Sequence, residues 1–437
     1  MNLHSMFRRS TFWRRLLRSV PALALTLSTG SLLIAEEPFE AWPRFRGANG
    51  EGIGAGVNLA PRPTLKNSLL WKLEFAGDGN GSPVAWGPNL YLQSAEENGK
   101  SRKLIAIDAL KGTIAWEAAL AGRSAKTHAK NSLASSTPAC DEKGVYSVFW
   151  DGKSLHAAAH THQGKELWVR ELGTFKSQHG AGHSPVTFDG KIYINFDQDD
   201  KAELVCLDGA NGKTIWLKER QAYRSSYSTP ILRPLADGKS ELVVASTAGA
   251  TGYDPATGNL NWDAKIKHAK NALRVVSSPL IAGELLVFGG GDGSGERQMQ
   301  AIRIGQSDGT PVWEDLKSFP YVPTGIVVGS LLFEISDKGF LGVYEVATGK
   351  SLSQTRLGGA FSASVVLAGN RLVLVSENGE VFFVEPKPNP DKPASLALNE
   401  PVFATPAIYK NRLYIKSRKT LFCLGQTNTA VPNGEER

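Results

Sequence analysis

A repeated tetrapeptide raises the first chemical question. "HAKNSLASSTP" starts at His128 and "HAKNALRVVSSP" starts at His268, and each sets His, Lys and Asn shortly before a Ser/Thr-Pro step. Two further segments reach such a step with unusual residues: "FKSQHGAGHSP" carries His179 and His183, and "RQAYRSSYSTP" carries Tyr223, Arg224 and Tyr227. If the four segments converge, they bring together His128, Lys130, Asn131, His179, His183, Arg224, Tyr227, His268, Lys270, Asn271 and Arg274. Arg and Lys donate to carboxylate, sulfate or phosphate, and His and Asn supply hydrogen bonds of either sense. That chemistry suits an anionic or polyhydroxylated ligand. The same residues have a plainer use, because Asn and Ser before a strand satisfy backbone groups in turns, and a duplicated scaffold copies its loops. Architecture decides between the two.

Other chemistry is thin. His156, His160 and His162 alternate in "HAAAHTH", a spacing that could clip a metal from one strand face, but the last two fall in a turn. "DQDDKAE" from Asp197 and "GGGDGSGE" to Glu296 offer oxygens to calcium and read equally as hairpin loops. The Gly-rich run has no Lys and no helix after it, so it is no phosphate-binding loop, and neither G-x-S-x-G nor H-E-x-x-H occurs. Cys140, Cys206 and Cys423 are far apart, each in an apolar run, and read as buried thiols. No catalytic residue and no metal ligand is assigned.

The first 35 residues are read as an export signal rather than as fold. Arg8, Arg9, Arg14, Arg15 and Arg18 precede the short apolar run "VPALALTLSTGSLLIA", with cleavage expected after Ala35. The arginine pairs fit a twin-arginine pattern only loosely, and no cysteine stands at the cleavage point to carry a lipid. Without this segment the 49 basic residues fall to 44 against 42 acidic ones, a net charge of +2 instead of +7. No basic stripe remains to argue for nucleic acid. A periplasmic or secreted protein without a transmembrane span is expected.

What positions the candidate residues is a repeat. "AIDALKGTIAW", "AAHTHQGKELW", "CLDGANGKTIW" and "GYDPATGNLNW" end at Trp116, Trp168, Trp216 and Trp262, and the longer "AIRIGQSDGTPVW" ends at Trp313. Strand-like runs lie between them: "NLYLQS", "GVYSVF", "KIYINF", "ELVVAS", "ELLVFG", "SLLFEI", "RLVLVS" and "RLYIKS". Ser/Thr-Pro precedes most of these, with looser versions near Thr324 and Ser362. Units of roughly 45 residues rich in β-formers and turn residues, apolar on both strand faces, predict an array of small sheets packed radially. The expected fold is an all-β, eight-bladed propeller of four-stranded antiparallel blades. The eighth unit has only three strands, so the early strand around Trp71 should complete it. The boundaries are 1–35 signal, 36–68 extension, 69–426 propeller with 69–76 paired to 403–425, and 427–437 a disordered tail.

At the Trp-ending turns the chain resembles the PQQ-repeat propellers, through the pattern Ala-x-Asp-x-x-Thr-Gly-x-x-x-Trp. This family includes quinoprotein alcohol dehydrogenases and BamB-like envelope proteins. "WPRFRGANGEGIG" also resembles the opening of secreted bacterial PQQ-repeat proteins. The resemblance implies docking roles for Trp71, Trp116, Trp168, Trp216, Trp262 and Trp313. For the quinoproteins it also implies pyrroloquinoline quinone (PQQ) with calcium under a bridge of adjacent cysteines, and no two cysteines are adjacent here. The leading expectation is an exported, non-catalytic binding or scaffold protein of the cell envelope, with an envelope protein partner or a ligand at the funnel face. The competing ones are a PQQ/calcium-dependent dehydrogenase of alcohols or sugars, and an acidic-polysaccharide-binding protein.

Overall fold

The turn that precedes each tryptophan explains the architecture. In blade one, Asp108 Oδ1 accepts the amides of Leu110 and Lys111, and this folds the chain so that Gly112 takes a φ of +70°. Only glycine tolerates both that conformation and what lies above it. A β carbon at Gly112 would strike the ring of Trp71, which belongs to the neighbouring blade. The same contact recurs from Trp116 to Gly164, Trp168 to Gly212, Trp216 to Gly258 and Trp313 to Gly349, where an added β carbon would lie 2.7 Å from the indole. Indole N–H groups then donate across the seam: Trp116 to His162 O, Trp168 to Gly209 O, Trp216 to Pro255 O and Trp313 to Val346 O. Each ring buries on the order of 200 Å² and contributes a few kcal/mol to holding neighbours in register.

The structure, a computed structural model, describes residues 40–426 except 97, 200, 267–271 and 317–318. It holds eight sheets, each with the expected four antiparallel strands, and two of them carry a fifth strand from residues 41–54. The N-terminal strand Leu69–Glu74 pairs antiparallel with Thr420–Leu424, Trp71 opposite Cys423, and completes the last blade. One apolar cluster runs through blades seven, eight and one and carries the closure. The three cysteines are buried and free. The proposed signal segment and the tail after 426 lie outside the described residues.

Closure can also be followed along the axis. The Ser/Thr of each lead-in forms a belt in which a backbone N–H of one blade donates to the hydroxyl of the next. Ser82 N–H meets Thr137, Thr137 meets Ser184, Thr229 meets Ser278, Ser278 meets Thr324, Thr324 meets Ser364, Ser364 meets Thr405 and Thr405 meets Ser82, at 2.9–3.2 Å. In the looser blade seven it is Ser364, not Ser362, that takes the place in the belt.

The segment expected to precede the propeller is woven into it. Ala41–Trp42 pairs with the inner strand Val84–Trp86 of blade one, and Ile53–Gly54 runs parallel to Val366–Ala368 of blade seven. Between them the chain crosses the central channel as a plug. Just before the inner strands, the lead-in backbone presents carbonyls to the axis that need donors. Two buried arginines take them: Arg44 donates to Pro230 O, and Arg46 donates to Thr324, Gly325 and Val365 O. Burial pulls both guanidinium groups down to about 10, so both stay charged near neutrality. Blades six and seven, whose outer strands carry no docking tryptophan, are thereby tied together by Arg46, and the strand at Ile53 adds to blade seven.

One buried acid answers Arg46. Glu334 is fully enclosed, and neither carboxylate oxygen has a hydrogen-bond partner among the described residues. Gly325 stands where other blades have proline, and a β carbon there would collide with this carboxyl. Burial pushes the Glu334 carboxyl up to about 8, with Arg46 pulling the other way.

Two outcomes follow from this packing. The blade-five turn is two residues longer, its Gly309 faces the Lys265 backbone, and the Trp262 indole N–H has no partner among the described residues. Trp216→Phe should therefore lose about 1 kcal/mol of hydrogen bonding that Trp262→Phe does not, read as unequal shifts of the urea midpoint. For Glu334, the native state holds a proton that the unfolded chain releases above its ordinary carboxyl range. That stability is present at low pH and is lost as pH rises towards 8. Glu334→Gln should gain on the parent by about 1.4 kcal/mol per pH unit across that window, measured by denaturation at pH 5, 7 and 9. A constant difference would contradict it.

Candidate ligand-binding site

The lead-in segments meet at one mouth of the channel. They surround a cavity of about 720 Å³ whose wall includes His128, Lys130, Asn131, His179, Arg224, Tyr227 and Arg274. Its middle is the hydroxyl belt, and Phe45 of the plug lies at the bottom. The plug makes the channel blind, with a separate small cleft of about 260 Å³ around Arg44, Trp86 and Asp141.

The lining is held by specific bonds. Asn131 donates to the carbonyls of His179 and Ala181, locking the second lead-in to the third. Lys130 reaches Glu377 at 2.6 Å, from blade two to blade seven. The Tyr227 hydroxyl donates to Gly180 O and shares a 2.6 Å hydrogen bond with Ser177. Arg274 donates through Nη1 to His179 Nε2 at 2.7 Å and through Nη2 to Gln178, with Asp199 3.9 Å away. A guanidinium is only a donor, so His179 accepts at Nε2 and is neutral. Burial first, then Arg274 and His128, pull the His179 imidazole down to about 4. The rings of His128 and His179 meet edge to face, 4.9 Å between centres.

His183 is elsewhere. It is buried behind the wall, edge-on to Phe175 and hydrogen-bonded to Asp197 O, and burial pulls it down to about 4. His268, Lys270 and Asn271 lie outside the described residues, so only the first copy of the tetrapeptide can be placed. The spaced histidines do not converge: His156 pairs with Asp151, while His162 bonds Tyr91 and Asp141 O.

Several wall residues come from places that sequence spacing did not single out. Arg297 lies on the third strand of blade five, 3.6 Å from Asp337, and stacks over Tyr321 at 5.2 Å. Asp337 accepts the amides of Tyr321 and Val322, while Asp292, from the Gly-rich hairpin whose oxygens the sequence offered to calcium, accepts the Ser294 hydroxyl. Phe403 lies under Arg418. The one available signal was the Ser/Thr-Pro step, legible as a strand marker but not as a ring of channel hydroxyls.

A closed, tryptophan-docked eight-bladed propeller with a blind cationic funnel is the class these features define. The family model described as outer membrane protein assembly factor BamB matches residues 151–387, more than half of the chain, and the chain belongs to that family. Outer membrane protein assembly factor BamB of Moranella endobia (strain PCIT) is 24% identical over 177 residues, 40% of this chain and 40% of that protein. The chain thus spans well under half the length of that curated relative. The crystal structure of BamB from Moraxella catarrhalis gives a TM-score of 0.59 at 13% identity, covering 82% of this chain and 98% of that one. A europium-containing methanol dehydrogenase gives 0.50 at 13%, covering 80% and 90%. At such identities the structural likeness is one of fold. Among the described residues no helix is long and apolar enough to cross a membrane.

The His179 contact is directly measurable. Arg274→Gln removes the adjacent positive charge, so the His179 imidazole should titrate closer to its ordinary range than about 4. Histidine NMR shifts followed from pH 3 to 8 check this; an unmoved midpoint would mean that burial alone sets it.

Proposed function

We propose that this chain is exported and acts as a non-catalytic binding protein of the cell envelope, with its ligand, or a group projecting from an envelope protein partner, seated in the funnel. The observation that carries this is the blind cavity, in which three of the five wall cations are held by neighbouring side chains. Lys130 is held by Glu377, Arg297 by Asp337 and Arg274 by His179. Such a wall orients a ligand and does not assemble a nucleophile with its base. Membership of the BamB family supports an envelope setting.

Quinone with calcium would need oxygen donors that this wall does not offer. The two wall carboxylates, Asp292 and Asp337, spend oxygens on Ser294 and on backbone amides, and no group of three or more metal-ligating side chains occurs among the described residues. Cys140, Cys206 and Cys423 lie in separate blades and cannot bridge as neighbours. This donor set does not fit the group.

A cavity-filling variant tests the binding reading whatever the ligand is. A β carbon at Gly182 would find ordinary contacts, 3.6 Å to Ser135 and 3.7 Å to Tyr227, so Gly182→Phe has room to fold and fills the funnel. In a thermal-shift screen of envelope extracts and saccharide fragments, a ligand at a hundred times its Kd should stabilise the parent by about 2.7 kcal/mol and leave Gly182→Phe unmoved. Alcohol- or sugar-dependent dye reduction after loading with PQQ and Ca²⁺ would overturn the non-catalytic assignment.

A further inference from the structure

We propose that the funnel binds the anionic end of a saccharide, its carboxylate or sulfate held by Arg224 and its sugar ring lying between Phe45 and Tyr321. This rests on the reading of the funnel as a ligand site and names the ligand class.

Charge is the first support. Five cations line the cavity (Lys130, Arg224, Arg274, Arg297 and Lys338) against two carboxylates, Asp292 and Asp337. Three of the five are committed, to Glu377, to His179 and Gln178, and to Asp337. Arg224 is different. Among the described residues its side chain has one hydrogen bond, from Nη1 to Ala272 O at 3.4 Å, and no ion pair. Most of its five donors remain for an incoming oxyanion. Arg224, Arg274 and Arg297 all act electrostatically on the Tyr321 hydroxyl, which places them in one sector of the wall.

The belt supplies the second support. Each of seven hydroxyls, on Ser82, Thr137, Ser184, Ser278, Thr324, Ser364 and Thr405, already accepts a backbone N–H. An occupied acceptor leaves the hydroxyl hydrogen as a donor. A ring of small donors suits the dispersed oxygens of a sugar better than one concentrated group. Aromatic faces are the third: Phe45 and Tyr321 line the cavity half-buried and belong to none of the apolar core clusters. Their rings can take the C–H face of a pyranose. The volume of about 720 Å³ lies within the range of about 300–1,000 Å³ usual for small-ligand sites.

The same geometry disfavours an extended peptide. A strand would need free main-chain groups at the inner edges, and the belt hydroxyls and the plug arginines already take them.

The test is calorimetry at low salt with three tetrasaccharides: unsulfated chondroitin (carboxylate alone), its 4-sulfated form, and neutral chitotetraose. At least one anionic form should bind at least tenfold tighter than chitotetraose, and the better of the two tells carboxylate from sulfate. Arg224→Ala should erase that advantage without changing Tm, Arg224→Lys should restore part of it, and Gly182→Phe should abolish binding of all three. Chitotetraose binding as tightly as both anionic forms overturns the proposal, as does an anionic preference that survives Arg224→Ala. If neither anionic form binds, the proposal falls; a screened ligand that Gly182→Phe blocks would then leave the binding reading standing. Saccharide binding indifferent to Gly182→Phe would remove the funnel from both.

Discussion

Everything in this molecule depends on an indole ring resting on a left-handed glycine of the next blade. Glycine is required twice over, since the turn demands positive φ and the ring leaves no space for a β carbon. The contact is directional: at five of the eight seams the tryptophan of one blade rests on the turn glycine of the next, and always in the same sense around the circle. Trp71 closes it, because its strand arrives before blade one is built and is claimed by blade eight. An open array would leave one indole and one turn facing water.

Circular closure creates a second demand at the axis. Eight inner edges face one another across a channel, and their main-chain groups must be satisfied there. The belt hydroxyls take amides and the plug arginines take carbonyls, so two devices divide one task. Burying Arg46 brings the cost of an enclosed charge, which its carbonyl acceptors offset, while burial holds the nearby Glu334 towards its neutral form against the pull of that charge. The plug consequently converts a channel into a cup, and Phe45 becomes its floor.

The funnel shows how a scaffold constraint becomes chemistry. Lead-in loops must bend from an outer strand to an inner one, which carries their side chains to the mouth. Most of the cations that gather there are neutralised or hydrogen-bonded by groups from other blades, Lys130 to Glu377 across the opening and Arg274 to His179 between lead-ins. Such cross-links make the rim rigid, and a rigid rim holds whatever donors remain in a fixed arrangement. Family membership adds an envelope context to that physics and leaves the ligand to the residues of this chain.

The sequence by itself determined the number of blades, the closing strand and five of the six tryptophans expected to dock, Trp262 having no glycine turn beneath it, because these rest on local turns and strand periods that repeat and can be counted. It also brought His128, Lys130, Asn131, His179, Arg224, Tyr227 and Arg274 to one rim, since their position follows from blade order. Only the tertiary structure turned His183 into the core, drew residues 41–54 through the axis as a plug, and added Arg297, Tyr321 and Phe45 to the wall. Those placements arise from contacts between residues far apart in the chain, Arg46 with Val365 and Lys130 with Glu377 among them. No local spacing encodes such pairs: which carbonyl lacks a partner, and which charge lacks a neighbour, is known only once the circle has closed.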